Sequence, residues 1–253
     1  MIRLERPRTE PEPLRQKRLE KLAAARTAIS GGEKIDFSGI GDDGVKEALF
    51  QAQHRKCAYC EKPEEQSRYR EAEHYRPKSR YWWLAWTWEN LLFACIDCNR
   101  DHKKDQFPLV DEARRLVAEH AAPGDEQPLL LDPYEARIEP ANEIEFRREN
   151  VQGRERWKPY GITERGRETV RICGLDRPSL LTLYDAHVRE VVRPKVERFR
   201  RIAEAELTPD IVRAWGTLVR GLFGEYQPFQ ALSRDVVRVL VPTSLRARYQ
   251  LAL

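Results

Sequence analysis

The chain has no apolar run approaching the roughly 18 or more residues that a membrane helix needs, which predicts no membrane partner. Its start, MIRLERPRTEPEPLRQKR, is polar and carries no apolar signal core. Together these two absences predict a cytoplasmic protein. No Gly-x-x-x-x-Gly-Lys-[Ser/Thr] phosphate loop occurs, so ATP hydrolysis, if it accompanies the function, belongs to a separate polypeptide. There is no internal repeat and no low-complexity segment, which excludes solenoids and disordered arrays. Charge of one sign is also scarce. Lys and Arg number 45 against 41 Asp and Glu, a net +4, and the pI is 8.8. Such a balance is compatible with a polyanionic partner without requiring one. Cysteine is sparse, five in all, with four in two close pairs. That usage suits metal binding in a reducing compartment better than a disulfide framework.

What is present is 253 residues, enough for one large domain or two small ones. With 34% charged residues and a mean hydropathy of −0.71, the wetted surface is extensive. Residues 1–13 read as an extended Pro- and charge-rich arm. Residues 14–29 have helix formers and no breakers, with Leu19, Leu22, Ala23 and Ile29 toward one side. Their cations Arg15, Lys17, Arg18 and Lys21 read as a surface face, or as contacts to phosphates or a partner. After a Gly-rich loop, Asp42 or Asp43 caps a helix whose Val45, Ala48, Leu49 and Ala52 fall at i, i+3, i+4 and i+7. His54 follows as a surface or packing histidine. The aromatic block YWWLAWTW (81–88) reads as core, with a base-stacking platform as the alternative. Further on, Leu129–Leu131 and residues 143–146 are strand candidates, within and after a loop at 113–135. Gly153 marks a turn. Thr163 and Gly174 mark the start and stop of a helix carrying Val170 and Ile172. From Ser179 apolar stripes at helical spacing run to Leu240, with a kink expected at Pro194.

The organising stretch is 57–104, where Cys57/Cys60 and Cys95/Cys98 form two Cys-x-x-Cys knuckles separated by 34 residues. Four thiolates close a tetrahedral zinc site and leave no open position, so this zinc is structural. The gap exceeds the roughly 15–20 residues usual in small zinc modules. Something is therefore inserted, and the insert carries most of the candidate catalytic groups. Phosphodiester hydrolysis needs a base for water, a cation beside the phosphate and stabilisation of the leaving oxygen. His74 has the ordinary pKa for the base. Glu73 is a hard oxygen ligand suited to Mg²⁺. Asn90 can orient the imidazole through its side-chain carbonyl, and Asn99 can supply a second oxygen ligand. Arg76, Lys78, Arg100, His102, Lys103 and Lys104 are groups available to phosphates. Cys173 stands alone as a buried or idle thiol.

In this order the residues resemble the HNH endonucleases, whose ββα-metal finger is a short hairpin and a helix around one divalent cation. Glu73-His74 matches the first motif, Asn90-Leu91 the second, and Asn99 the third; His102 is the other candidate for that last position. The run AEHYRPKSRYWWLAWTWENLLFACIDCNRDHKKDQFPL is similar to the PtuB-like HNH subunits of Septu-type and retron-associated antiphage systems, over roughly 45–110. TERGRETVRICGLDRP (163–178) fits that family more loosely. The resemblance implies an α+β, mostly helical fold with a zinc-stapled ββα-metal finger. It implies an arm and helix at 1–42, a nuclease core at 43–112 and a helical, partner-docking region at 113–253. It implies a metal-dependent DNA endonuclease with structural Zn²⁺ and catalytic Mg²⁺ or Mn²⁺, an SMC/ABC-like (PtuA-like) ATPase partner, and in some systems a retron component. Two alternatives remain open: a non-catalytic zinc-knuckle module binding nucleic acid or protein, and an HNH nuclease acting on RNA. The low net charge favours dependence on a partner.

Overall fold

The computed structural model describes residues 1–117, 119, 124–205 and 208–253. Part of the loop expected at 113–135 lies outside the described residues. The fold is α+β, with about half the chain helical and two separate two-stranded antiparallel sheets. No helix among the described residues is long and apolar enough to cross a membrane.

Helix α1 (Glu12–Ser30) and helix α2 (Asp43–Ala52) precede the first sheet. Proline in the first turn of α1 suits its start, where backbone N–H groups lack helical partners anyway. The buried side of α1 is not the expected one. Leu14 and Ala25 are buried, with Leu22 packed beside them, whereas Leu19 is 78% exposed. Leu19 lies five residues beyond Leu14, about 140° around a helix of 3.6 residues per turn, and so faces water. The cations of α1 are not free for phosphates either. Arg15 pairs with Glu12, Lys17 with Asp42, Arg18 with Glu10 and Lys21 with Asp36.

Strand β1 (Arg70–His74) pairs with strand β2 (Leu91–Cys95), with Glu73 opposite Leu92 and His74 opposite Leu91. The continuous apolar run of β2 has a simple cause: both of its faces are buried. Leu91 and Phe93 pack with Leu14, Val45, Leu49 and Phe50, while Leu92 and Ala94 join the larger core around the cysteines. The aromatic block is core, as expected: Tyr81, Trp83, Trp86 and Trp88 are all buried. The fully buried Gln53 locks α2 to this sheet, donating to the Phe93 carbonyl at 2.8 Å while its own oxygen accepts from Phe93 N–H. A wide π-helical turn, Asp97–Lys103, follows β2 and completes a ββα unit.

Leu129–Leu131 do not form a strand; Leu130 and Leu131 are core residues on an irregular path, with only an isolated bridge at Pro128. Strands β3 (Ile144–Val151) and β4 (Arg154–Gly161) form the second hairpin around Gly153, whose φ of +77° suits the turn. Helix α3 (Glu164–Ile172) begins at Thr163, whose hydroxyl accepts from Gly166 N–H. Helix α4 (Pro178–His187) runs on through a π-helical segment, Val188–Val192, into α5 (Arg193–Glu204). The widened turn lies directly before Pro194, where the proline lacks a backbone donor. Helices α6 (Thr208–Phe223), α7 (Gln230–Leu240) and α8 (Thr243–Arg248) finish the chain. Their apolar stripes share one core with the four cysteines and with Ile172, Cys173 and Leu175, so the two cysteine knuckles sit inside the main hydrophobic core.

Candidate active site

The four sulfurs of Cys57, Cys60, Cys95 and Cys98 all lie within 4.8 Å of one another, and all four residues are buried. Cys60 and Cys95 sulfurs are 3.8 Å apart. Four ligands at a Zn–S distance of about 2.3 Å in a tetrahedron have edges of about 3.8 Å, so the cluster has the size and donor chemistry for zinc. Four thiolates around Zn²⁺ carry a net charge of about −2. Two cations stand beside them. Arg177 donates to Cys98 Sγ at 3.5 Å and to the Gly174 carbonyl at 2.9 Å, and also reaches Asp97 at 3.4 Å. Burial works to lower the Arg177 pKa, but the thiols of Cys98, Cys60 and Cys95 outweigh it and raise it. Lys62, paired with Asp97 at 3.2 Å, is raised by Cys95, Asp97 and Cys60 against the opposing effect of burial. Nothing in the sequence marked Arg177, because it arrives from the α3–α4 junction, 79 residues beyond Cys98.

The knuckles hold β1 and the π-helical turn beside each other, and a cleft of about 250 Å³ opens where they meet. Glu73, His74, Lys78, Asn99, Arg100 and Lys104 line it. Three of the expected motif residues are thus brought together. His74 is nearly enclosed, and burial brings its imidazole down to a pKa of about 4, so the ring is neutral at pH 7. Its Nε2 lies 3.0 Å from the Ala85 carbonyl. A carbonyl only accepts, so Nε2 carries the hydrogen and Nδ1 keeps a lone pair. Within that lining Glu73 pairs with the fully buried Lys103 ammonium, which also donates to the His74 carbonyl at 2.8 Å. Burial raises the Glu73 carboxyl pKa while Lys103 opposes that rise. Oε1 is the Glu73 oxygen that meets the Lys103 ammonium.

Asn90 does not touch the imidazole. Its Oδ1 accepts from Arg76 N–H at 2.9 Å, and its Nδ2 donates to the Arg76 and Leu84 carbonyls at 3.0 and 3.2 Å. The expected side-chain contact to His74 is replaced by an indirect one. Asn90 ties the chain just after His74 to the turn that presents the Ala85 carbonyl. Asn99 donates its amide to Glu71 at 2.8 Å, which leaves Asn99 Oδ1 as the free oxygen. Glu71 was missed in the sequence, although its place two residues before Glu73 puts both carboxylates on one face of β1. Asp105, also in the cleft lining, was missed as well. His102 lies outside that lining. A Cβ on Gly174 would come within 2.3 Å of its ring, so it packs against the α3–α4 junction.

The phosphate-binding set divides in the same way. Lys78, Arg100 and Lys104 line the cleft, with Arg100 also paired to Glu71 at 2.5 Å. Arg76 and Lys103 are not available to phosphates. Arg76 is buried on Glu126 at 2.8 Å, and Lys103 is fully buried on Glu73. Buried cations in a core must be paired there.

Residues 57–105 match the family model described as HNH endonuclease, and this stretch is of that class. The more particular resemblance also holds. The chain is 33% identical over 191 residues to the Septu protein PtuB of Bacillus mycoides (strain KBAB4), an alignment covering 68% of this chain and 59% of that protein. It is 40% identical over 79 residues to the Septu protein PtuB of Bacillus thuringiensis, covering 28% of this chain and 31% of that one. The chain therefore spans less than two thirds of the length of these relatives. No solved structure matches it.

Proposed function

We propose that this protein is a metal-dependent HNH endonuclease that hydrolyses phosphodiester bonds of DNA. The observation that carries this reading is the convergence of Glu73, Asn99 and a neutral His74 with a free Nδ1 on one cationic cleft. His74 Nδ1 takes the proton of the attacking water. Glu73 and the Oδ1 of Asn99 hold Mg²⁺ or Mn²⁺, which when bound stabilises the negative charge on the phosphate and the leaving oxygen. Lys78, Arg100 and Lys104 bind flanking phosphates. Asn90 is a positioning residue, and Zn²⁺ in the four-cysteine cluster staples the frame. Residues 1–42 form an arm around the 43–112 core, and 113–253 dock a partner. The relatives are named Septu protein PtuB. By that likeness the nuclease is the effector of a cytoplasmic antiphage complex with a separate SMC/ABC-like ATPase, in some systems with a retron component.

One observation favours the second reading, a zinc-knuckle module that binds without cutting: Glu73 is already paired to Lys103. The two readings separate in one experiment. Plasmid DNA and total RNA are incubated with Mg²⁺ or Mn²⁺ and wild type or His74→Ala, each with and without any ATPase encoded beside it. DNA cutting lost in His74→Ala is the expected result. Loss of RNA alone changes the substrate class, and absence of His74-dependent cutting in every arm favours the binding module.

A further inference from the structure

A second hollow, of about 660 Å³, lies at the opposite end of β1 from the catalytic pair. It is bounded by Phe50, His54, Arg55, Glu64, Glu65 and Tyr226, with Arg70 of β1 also in its wall. Four features distinguish it from an ordinary surface dent. First, Tyr226 is 58% exposed, the one aromatic among the exposed large hydrophobic side chains of the described residues. Its ring meets His54 edge-on, at 5.4 Å and 80°, which leaves a π-face open.

Second, the tyrosine is presented rigidly. The Lys56 ammonium, one residue before the first zinc cysteine, donates to the carbonyls of Glu225 and Gln227 at 2.6 and 2.9 Å. Gln230 Nε2 closes the same loop onto the Gly224 carbonyl at 2.9 Å. Third, His54 and Arg55 have successive positive φ values of 52° and 62°, an arrangement uncommon for non-glycine residues and concentrated at functional positions. The exposed Arg55 side chain has no partner among the described residues. Fourth, Arg70 stacks on Phe50 at 3.5 Å and is fixed there by Glu47 at 3.0 Å and the Glu65 carbonyl at 2.8 Å, giving the hollow a flat, rigid wall.

These parts suit a nucleobase better than a phosphate. The aromatic face stacks a base. Glu64 is held by Lys62 at 3.5 Å, so the exposed carboxylate of Glu65 is the one that accepts from a base N–H, such as the N3–H of thymine, and repels phosphate, while Arg55 at the mouth meets the backbone outside. Arg70 and His74 are four strand steps apart, about 13 Å, a span of about four stacked nucleotides at about 3.4 Å each. We propose that this hollow is a nucleobase subsite that takes an unpaired base of the nucleic-acid substrate about four stacked nucleotides from the bond cut at His74. The inference rests on the nuclease reading and adds a preference for substrate with an unpaired flank.

The test measures fluorescence anisotropy of the zinc-loaded full chain without added Mg²⁺ or Mn²⁺, using a 12-nucleotide oligo-dT and an abasic strand of the same length. Stacking by one aromatic predicts that Tyr226→Ala weakens oligo-dT binding by about 5- to 140-fold. Tyr226→Phe keeps the affinity, and the abasic strand binds both proteins alike. Equal oligo-dT affinity for wild type and Tyr226→Ala overturns the subsite, as does equal wild-type affinity for the two strands. A protein partner docking on Tyr226 gives this result too. Cutting with Mg²⁺ added keeps the two claims apart. His74-dependent cleavage with unchanged Tyr226→Ala affinity refutes the subsite alone, whereas no cleavage and no binding refute both.

Discussion

Replacing Arg177 by Met tests whether the helical C-terminal half is part of the zinc site. The guanidinium is buried, 3.5 Å from Cys98 Sγ, and also holds the Gly174 carbonyl and Asp97. At that distance and an effective dielectric constant of about 20, one opposite charge pair has a gross attraction of about 5 kcal/mol. Desolvating the guanidinium offsets much of this, so the net effect should match that of other outer-shell partners, about 10- to 100-fold in metal affinity. That corresponds to about 1.4–2.7 kcal/mol. Met keeps much of the volume, so the change reports charge and hydrogen bonds more than packing. The assay is competition for zinc by a chromophoric chelator at fixed pH, read against circular dichroism. Arg177→Lys, which keeps the charge and loses the fork, should lie between wild type and Arg177→Met. Unchanged zinc affinity in a folded Arg177→Met protein would refute the argument. If Arg177→Met does not fold, wild-type zinc affinity in Arg177→Lys tests the fork alone and refutes its part.

Three further outcomes are expected. Cys95→Ser should unfold the centre, since structural zinc contributes about 10–16 kcal/mol in small zinc modules. Zinc content and near-UV circular dichroism check this, and a natively folded, zinc-free variant would contradict it. Lys103→Met leaves the Glu73 carboxylate buried without its partner and should cost about 3–5 kcal/mol in urea unfolding. The Glu73→Gln, Lys103→Met pair should recover a large part of that loss. His187 is buried on Ser233 at 2.9 Å, and burial lowers its pKa to about 4; Glu61 opposes this and Lys195 adds to it. Its folded value lies below the unfolded value of about 6.5. Its stabilisation is therefore present above about pH 6.5 and is lost as the pH falls toward 4, by about 2 kcal/mol at pH 5. Unfolding curves at pH 7 and pH 5 should show a drop that shrinks in His187→Gln; an unchanged pH dependence would count against this assignment.

The local rules of the chain carried much of this fold. Two residues between thiolates bring both sulfurs of a knuckle to one ion, so the Cys57–Cys60 and Cys95–Cys98 cluster was legible from spacing alone. Helical periodicity likewise announced the C-terminal helices, and alternating residues with Gly153 announced the second hairpin. The aromatic block was legible as core because large apolar rings gain most from burial. Pairings set by the packing of distant segments were not legible. A lysine in a basic run looks the same whether it meets water or a buried carboxylate. Only the fold separates Lys103 and Arg76, held inside on Glu73 and Glu126, from Lys78 and Lys104 at the cleft. Asn90 could have reached the imidazole or the backbone, and the turn at Leu84 decided for the backbone. The sequence by itself determined which chemistry is present and which residues share a strand or a knuckle, because those depend on spacing along the chain. The tertiary structure alone decided which charges are paired, which ring of the chain faces water, and that Arg177 stands against Cys98. Those contacts join residues far apart in sequence, and the closure of the core around them sets their distances.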